Sequence, residues 1–206
     1  REFYRQGGSL VATSIRVVFA SVALSSLAGL ASAQLATLTA NATADNAFQM
    51  SISADPLTQG TVFLSGASWN TTYTDSYEFF SPGTFYIHVA AQDFGDPAAF
   101  IADMTIDGDG LFASGSSRLI TNLTDWTVYT GGFGVGADTL VSRGPDGSSP
   151  WGDRSSIGND ALNIWAQSNP DNVYFTAVVR VVPSPGSLAL LAAAGLVARR
   201  RRAANA

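Results

Sequence analysis

The chain reads as an all-β protein, an antiparallel β-sandwich set between two apolar terminal segments, and three observations predict it. Short β-rich stretches, punctuated by Gly, Asn, Asp and Pro, follow one another through the middle of the 206-residue chain. No stretch between them carries a 3.6-residue apolar stripe with helix caps. Residues 34–182, 149 in number, suffice for one domain that buries roughly two-thirds of its unfolded surface, and eight or so short strands in such a domain favour a sandwich.

The strands are expected over 35–38, 48–52, 61–64, 73–80, 84–91, 100–106, 126–129 and 173–182, each bounded by turn-forming residues. Within 84–91, Phe85, Ile87 and Val89 share one face and Tyr86 and His88 the other, because side chains alternate along a strand. The first set is expected to face the core. From 131 to 172 the chain reads as loop-rich, since Gly131, Gly132, Gly134, Gly136, Gly144, Pro145, Gly147, Pro150 and Gly152 leave little room for long strands.

At the front, Arg1, Arg5 and Arg16 precede an apolar run over 17–30, followed by Ala31, Ser32 and Ala33. A basic region, an apolar region and a small-x-small site are the three parts of a secretory signal peptide, so residues 1–33 are expected to form a signal helix cleaved before Gln34. An uncleaved N-terminal anchor is the alternative. At the back, Val182, Pro183, Ser184, Pro185 and Gly186 stop the last strand, an apolar run covers 187–198, and Arg199, Arg200, Arg201 and Arg202 follow. Twelve residues make a helix of about 18 Å, well short of a hydrocarbon core of about 30 Å. The segment therefore suits a transient membrane contact better than a permanent span; a helix docked on the domain is the alternative.

This ordered tail resembles the PEP-CTERM sorting signal of bacterial exported proteins, with Ser184 where the family commonly has Glu. The resemblance implies the export machinery and an exosortase-like processing enzyme as partners, and a destination in the cell envelope, at the cell surface or in the extracellular matrix. It divides the chain into 1–33, 34–181 and 182–206.

Between the signals, Asp45, Asn46, Ala47 and Phe48, the Gly66 to Asn70 turn, Pro82 and Gly83 opening a long apolar strand to Asp93, Pro97 to Asp103, and Asp125 with Trp126 follow in an order similar to galactose-binding-like jelly-roll modules. That resemblance implies a jelly-roll form of the sandwich.

Charge narrows the partners. The chain has no Lys and no Cys. Residues 34–182 carry four Arg against fourteen Asp and one Glu, a net of about −11, beside −5 for the whole chain. Such a surface repels phosphate backbones, so nucleic acid is not an expected partner.

Catalytic chemistry is thinly supplied. Cys and Lys nucleophiles are missing, and the one imidazole, His88, stands mid-strand with no nucleophile motif near it, which suits a hydrogen-bonded structural role. No cofactor motif stands out: the glycines over 131–136 open no helix to cradle phosphate. Asp103, Asp107 and Asp109, with Gly108 and Gly110, form an acidic turn that is a candidate for structural Ca2+; a Gly-Asp-Gly hairpin explains the same residues. Asn41, Asn70 and Asn122 each head an N-x-Thr triplet, expected by chance in a Thr-rich chain. Trp126 is expected in the core, whereas Trp69, Trp151 and Trp165 are candidates for stacking on sugar rings. Trp151 has Gly and Pro neighbours in sequence, which suggests an exposed indole with Asp146, Asp153 and Arg154 nearby for hydroxyl groups.

Together these features point to an exported, non-catalytic surface or matrix protein in contact with extracellular polysaccharide. A secreted polysaccharide hydrolase using a carboxylate pair and a self-associating structural protein are the alternatives.

Overall fold

A computed structural model describes residues 34–183. These form β1 (Ala36–Asp45), β2 (Ala47–Ser53), β3 (Thr61–Gly66), β4 (Tyr73–Phe79), β5 (Gly83–Gln92), β6 (Ala99–Gly108), β7 (Gly110–Phe112), β8 (Arg118–Ile120), β9 (Thr127–Gly132), β10 (Val135–Asp138), β11 (Leu140–Pro145), β12 (Leu162–Ala166) and β13 (Asn172–Val181). There is no helix among the described residues. The expected signal helix, its site at Ala31 and Ala33, and the tail from Ser184 and Pro185 through Arg199, Arg200, Arg201 and Arg202 lie outside them.

Two antiparallel sheets make the sandwich. One runs β11-β12-β6-β1-β4, with β8 also paired to β6; the other runs β10-β9-β13-β5-β2-β3, with β7 also paired to β13. All eight expected strands are present within a few residues of their expected bounds, apart from β1, which runs on to Asp45.

Period-2 burial builds the core. Leu38, Ala40 and Ala42 of β1 and Phe100, Ala102, Met104 and Ile106 of β6 point inward from one sheet. Ile87 and Val89 of β5 and Phe175, Ala177 and Val179 of β13 meet them from the other, as the alternation in β5 predicts. Small residues on β1 leave room for rings. Phe100 stacks on Phe175 with centroids 5.2 Å apart and meets Trp126 edge-on at 5.8 Å, so Trp126 takes its expected core place, its Nε1 donating to the Ile120 carbonyl at 3.0 Å. Interlocking large and small side chains is how a sandwich core reaches the density of an organic crystal.

The expected hairpin at Gly108, Asp109 and Gly110 is instead a corner between the sheets. β6 belongs to the first sheet, whereas β7 pairs with β13 in the second, with Val181 opposite Gly110. Gly108 has φ +87°, and a Cβ there would sit 2.4 Å from the Leu35 carbonyl oxygen, so only Gly makes this turn. The corner also gathers both ends of the sandwich: Asp109 N–H donates to the Leu35 carbonyl and Val182 N–H donates to the Asp109 carbonyl, each at 2.8 Å.

The stretch expected to be loop-rich holds β10, β11 and β12, of 4, 6 and 5 residues. Pairing with distant strands overrides weak local propensity here, and the irregularity survives as register shifts between Val135 and Ala137 and between Ser142 and Pro145.

His88 lies on the outer side of β5, yet it is fully buried. The segment after β2 and the β9–β10 hairpin cross the second sheet above it. Phe133 covers the imidazole at 4.2 Å between centroids, and Leu57 reaches Gly134, where φ is +75° and a Cβ would lie 2.2 Å from the leucine Cδ2. His88 Nδ1 lies 2.9 Å from Thr176 Oγ1 and Nε2 lies 3.2 Å from the Asp55 carbonyl.

Candidate functional site

The tryptophans proposed for sugar contact separate on burial. Trp165 is fully buried, its Nε1 donating to the Pro170 carbonyl at 3.1 Å and its ring edge-on to Phe175. Trp151 is only 7% exposed. Neither offers a ring face to a sugar, which corrects the expectation for both. Trp151 is surrounded by Gly and Pro in sequence, but what buries it comes from far along the chain: Asp45 at the end of β1 accepts from its Nε1 at 3.0 Å. Trp69 remains 37% exposed.

Of the three residues expected to serve sugar hydroxyls beside Trp151, Asp153 is exposed and the other two are committed elsewhere. Asp146 and Arg154 are buried and form an ion pair at 3.4 Å. Asp146 Oδ2 also accepts the Arg154 backbone N–H at 2.9 Å, and the guanidinium donates to the carbonyls of Gly152 and Trp69 at 3.1 and 3.0 Å. A buried charge with all its partners supplied is a structural clasp. It ties the loop over 146–158 to the turn over 67–72, closing this end of the sandwich. Burial pushes the Asp45 carboxyl above the usual carboxylate range; the Trp151 hydrogen bond opposes this and the charge of Asp93 adds to it.

The acidic turn does not converge on a cation site. Asp103 and Asp107 are four residues apart on β6, so they share a face but are separated by about 13 Å of strand. Both oxygens of Asp103 face Arg118, with Nε and Nη2 donating at 3.0 and 2.7 Å, and Oδ2 also accepts from Gly158 N–H at 3.0 Å. Asp109 acts through its backbone at the corner. Among the described residues no group of three or more His, Asp or Glu could hold a metal ion. The Asn-x-Thr triplets have local explanations too: Asn122 Oδ1 accepts from the N–H groups of Thr124 and Asp125, Asn70 Oδ1 from Ser68 and Thr71, and Asn41 Oδ1 from Thr74.

What the fold does present is a groove of about 630 Å³ on the outer face of the second sheet. Register aligns Ser65, Gln49, Ala90 and Tyr174 in one row across β3, β2, β5 and β13, and Ala47, Gln92 and Asn172 in the next. Strand spacing makes the first row about 14 Å long. Alanines keep the floor low, and Tyr174, edge-on to Phe133 at 5.2 Å, stands between the groove and the covered part of the sheet. No Asp, Glu or Arg lines it, although the domain is strongly acidic. The side chains of Gln92 and Asn172 and the Tyr174 hydroxyl make no hydrogen bond within the described protein. An uncharged surface with unspent donors and acceptors beside an aromatic ring can hold a neutral polyhydroxylated ligand.

These groove residues escaped the sequence reading. The alternation noted in β5 carries the signal: continued past Tyr86 and His88, it places Ala90 and Gln92 on the same outward face. Their partners come from β2, β3 and β13, which no local pattern brings together. Comparison of the chain with protein families, with curated proteins and with solved structures finds no match.

Proposed function

We propose that this chain is an exported, non-catalytic protein of the cell envelope, cell surface or extracellular matrix, sorted through its C-terminal tail and in contact with extracellular polysaccharide. The sandwich is taken as a jelly-roll module of the galactose-binding-like kind, on the strength of the residue order from Asp45 to Trp126.

The observation that supports the proposal most is the corner at Asp109. Its peptide groups bond Leu35 and Val182, so the two expected targeting segments leave one point of a sandwich whose own strands run from Ala36 to Val181. The expected cleavage before Gln34 and the break at Pro183 fall within two residues of those limits. Removing either segment leaves every core strand in place. Export through one segment and processing through the other would then act on the same end. The non-catalytic part of the proposal draws on His88, the chain's one imidazole, which is buried with both nitrogens engaged.

Fractionation of cells producing the full chain tests this. Wild type is expected in the envelope or outside the cell, and replacing Arg199, Arg200, Arg201 and Arg202 by Ser is expected to mislocalise it or release unprocessed precursor. Unchanged processing and location in the variant would remove the sorting role of the tail.

A further inference from the structure

We infer that the groove on the outer face of the second sheet is a binding site for a neutral polysaccharide chain; this rests on the polysaccharide contact proposed above and gives it a place and a ligand class. Three observations carry it.

The first is charge. Residues 34–182 hold fifteen acids against four Arg, yet none lines the groove. An anionic glycan would approach through a repulsive field and find no cation in the site, whereas an uncharged one meets neither obstacle.

The second is chemistry. A pyranose offers hydroxyls that both donate and accept, and an apolar C–H face. Gln92 and Asn172 supply amides that do both, the Tyr174 hydroxyl does likewise, and all three are unspent within the protein. The Tyr174 ring supplies the apolar surface. Ala47 and Ala90 leave the floor open where larger side chains would fill it.

The third is shape and position. The groove crosses the second sheet from its edge strand β3 to β13, along the row of Ser65, Gln49, Ala90 and Tyr174. Its lining mixes the polar side chains of Gln49, Ser65, Gln92 and Asn172 with alanines and aromatic rings, which matches the hydroxyls and the C–H face of a sugar. It sits at the Gln92 end of β5, while Asp109 and both chain exits sit at the Gly83 end, about 30 Å away along the strand. A protein held by its tail would present the groove outward.

Affinity gel electrophoresis of the full chain in mild detergent tests the site. The gels contain galactomannan, β-glucan, xylan or dextran as neutral probes, and polygalacturonate as the charged one. At least one neutral polymer is expected to retard migration, and polygalacturonate is not. Tyr174→Ala and Gln92→Ala are each expected to weaken the retardation at least tenfold, as loss of a central contact does, and Ala90→Glu to abolish it. Because Tyr174 packs on Phe133, the exposed Gln92 serves as the variant that leaves the fold intact, checked by a parallel melt. Trp69→Ala, outside the groove, is expected to change nothing. Retardation kept by all three groove variants would overturn this site while leaving polysaccharide contact standing. Retardation by polygalacturonate alone would overturn the ligand class, and none by any polymer would overturn both the site and the contact.

Discussion

Trp151 donates its indole N–H to Asp45 Oδ2 at 3.0 Å, joining two residues 106 positions apart. The bond seats the loop over 146–158 on the end of β1, where the ring is buried. Trp151→Ala is expected to lower stability by about 3 to 5 kcal/mol, as removing a buried aromatic does. Trp151→Phe keeps most of the ring but leaves a buried carboxylate without its donor, at a cost of about 1 to 3 kcal/mol. Urea melts measure both, and a loss under about 0.5 kcal/mol for the Ala variant would mean that the ring is not buried.

Asp45 gives that end of the molecule a pH dependence. Burial raises its pKa, so the folded state disfavours the charged form. Its contribution to stability is therefore fully present below the unfolded value of about 3.9 and is lost as pH rises through the folded value. Asp45→Asn keeps an acceptor for Trp151 and removes the titration. Relative to wild type, the variant should gain stability between the acid range and neutrality. Melts across that range showing a constant difference would contradict the raised pKa.

His88 shows the opposite behaviour. Burial, chiefly, lowers its pKa below the ordinary 6.5, so the unfolded chain takes up a proton before the folded one does. The stability that neutral His88 contributes is complete above about pH 6.5 and falls away as pH drops toward the depressed folded value. His88→Gln should flatten that part of the profile. Thermal melts of the two proteins from mildly alkaline to mildly acid pH check this; parallel slopes would contradict it.

Arg118 joins β8 to β6 and to the turn at Asp160. It donates to both oxygens of Asp103 and, at 3.2 and 3.0 Å, to both oxygens of Asp160. These bonds raise its pKa and hold the Asp160 carboxyl below the usual range. The Arg118 side chain is 43% exposed and that of Asp160 62%, so solvent screening reduces the value of the outer pair. Arg118→Ala, which strips the largely covered Asp103 of its partner, should cost about 1 to 2 kcal/mol. Asp160→Ala should stay within about 0.5 kcal/mol. Equal losses in urea melts would mean that both carboxylates are held alike.

The strands were legible where the signal is local. In β5, alternation of Ile87 and Val89 with Tyr86 and His88 gave both the element and its core face, and β13 was as clear. Strands β7 and β8, three residues each, carry too little sequence to show a period, and they exist through pairing to β13 and β6. The Gly108 corner looked like a hairpin because a tight turn uses the same residues whether the chain returns to its own sheet or crosses to the other. Trp151 was misread for a related reason: its sequence neighbours are small, but burial is decided by Asp45 and the loop clasp around Arg154. The groove was invisible because its residues are unremarkable on each strand and become a site only in register.

The most direct test of the central claim is the intact mass of the protein recovered from the envelope or the medium of cells producing the full chain. The account predicts a polypeptide beginning at Gln34, two residues before β1 opens at Ala36. Protein recovered there that still carries residues 1–33 would contradict it.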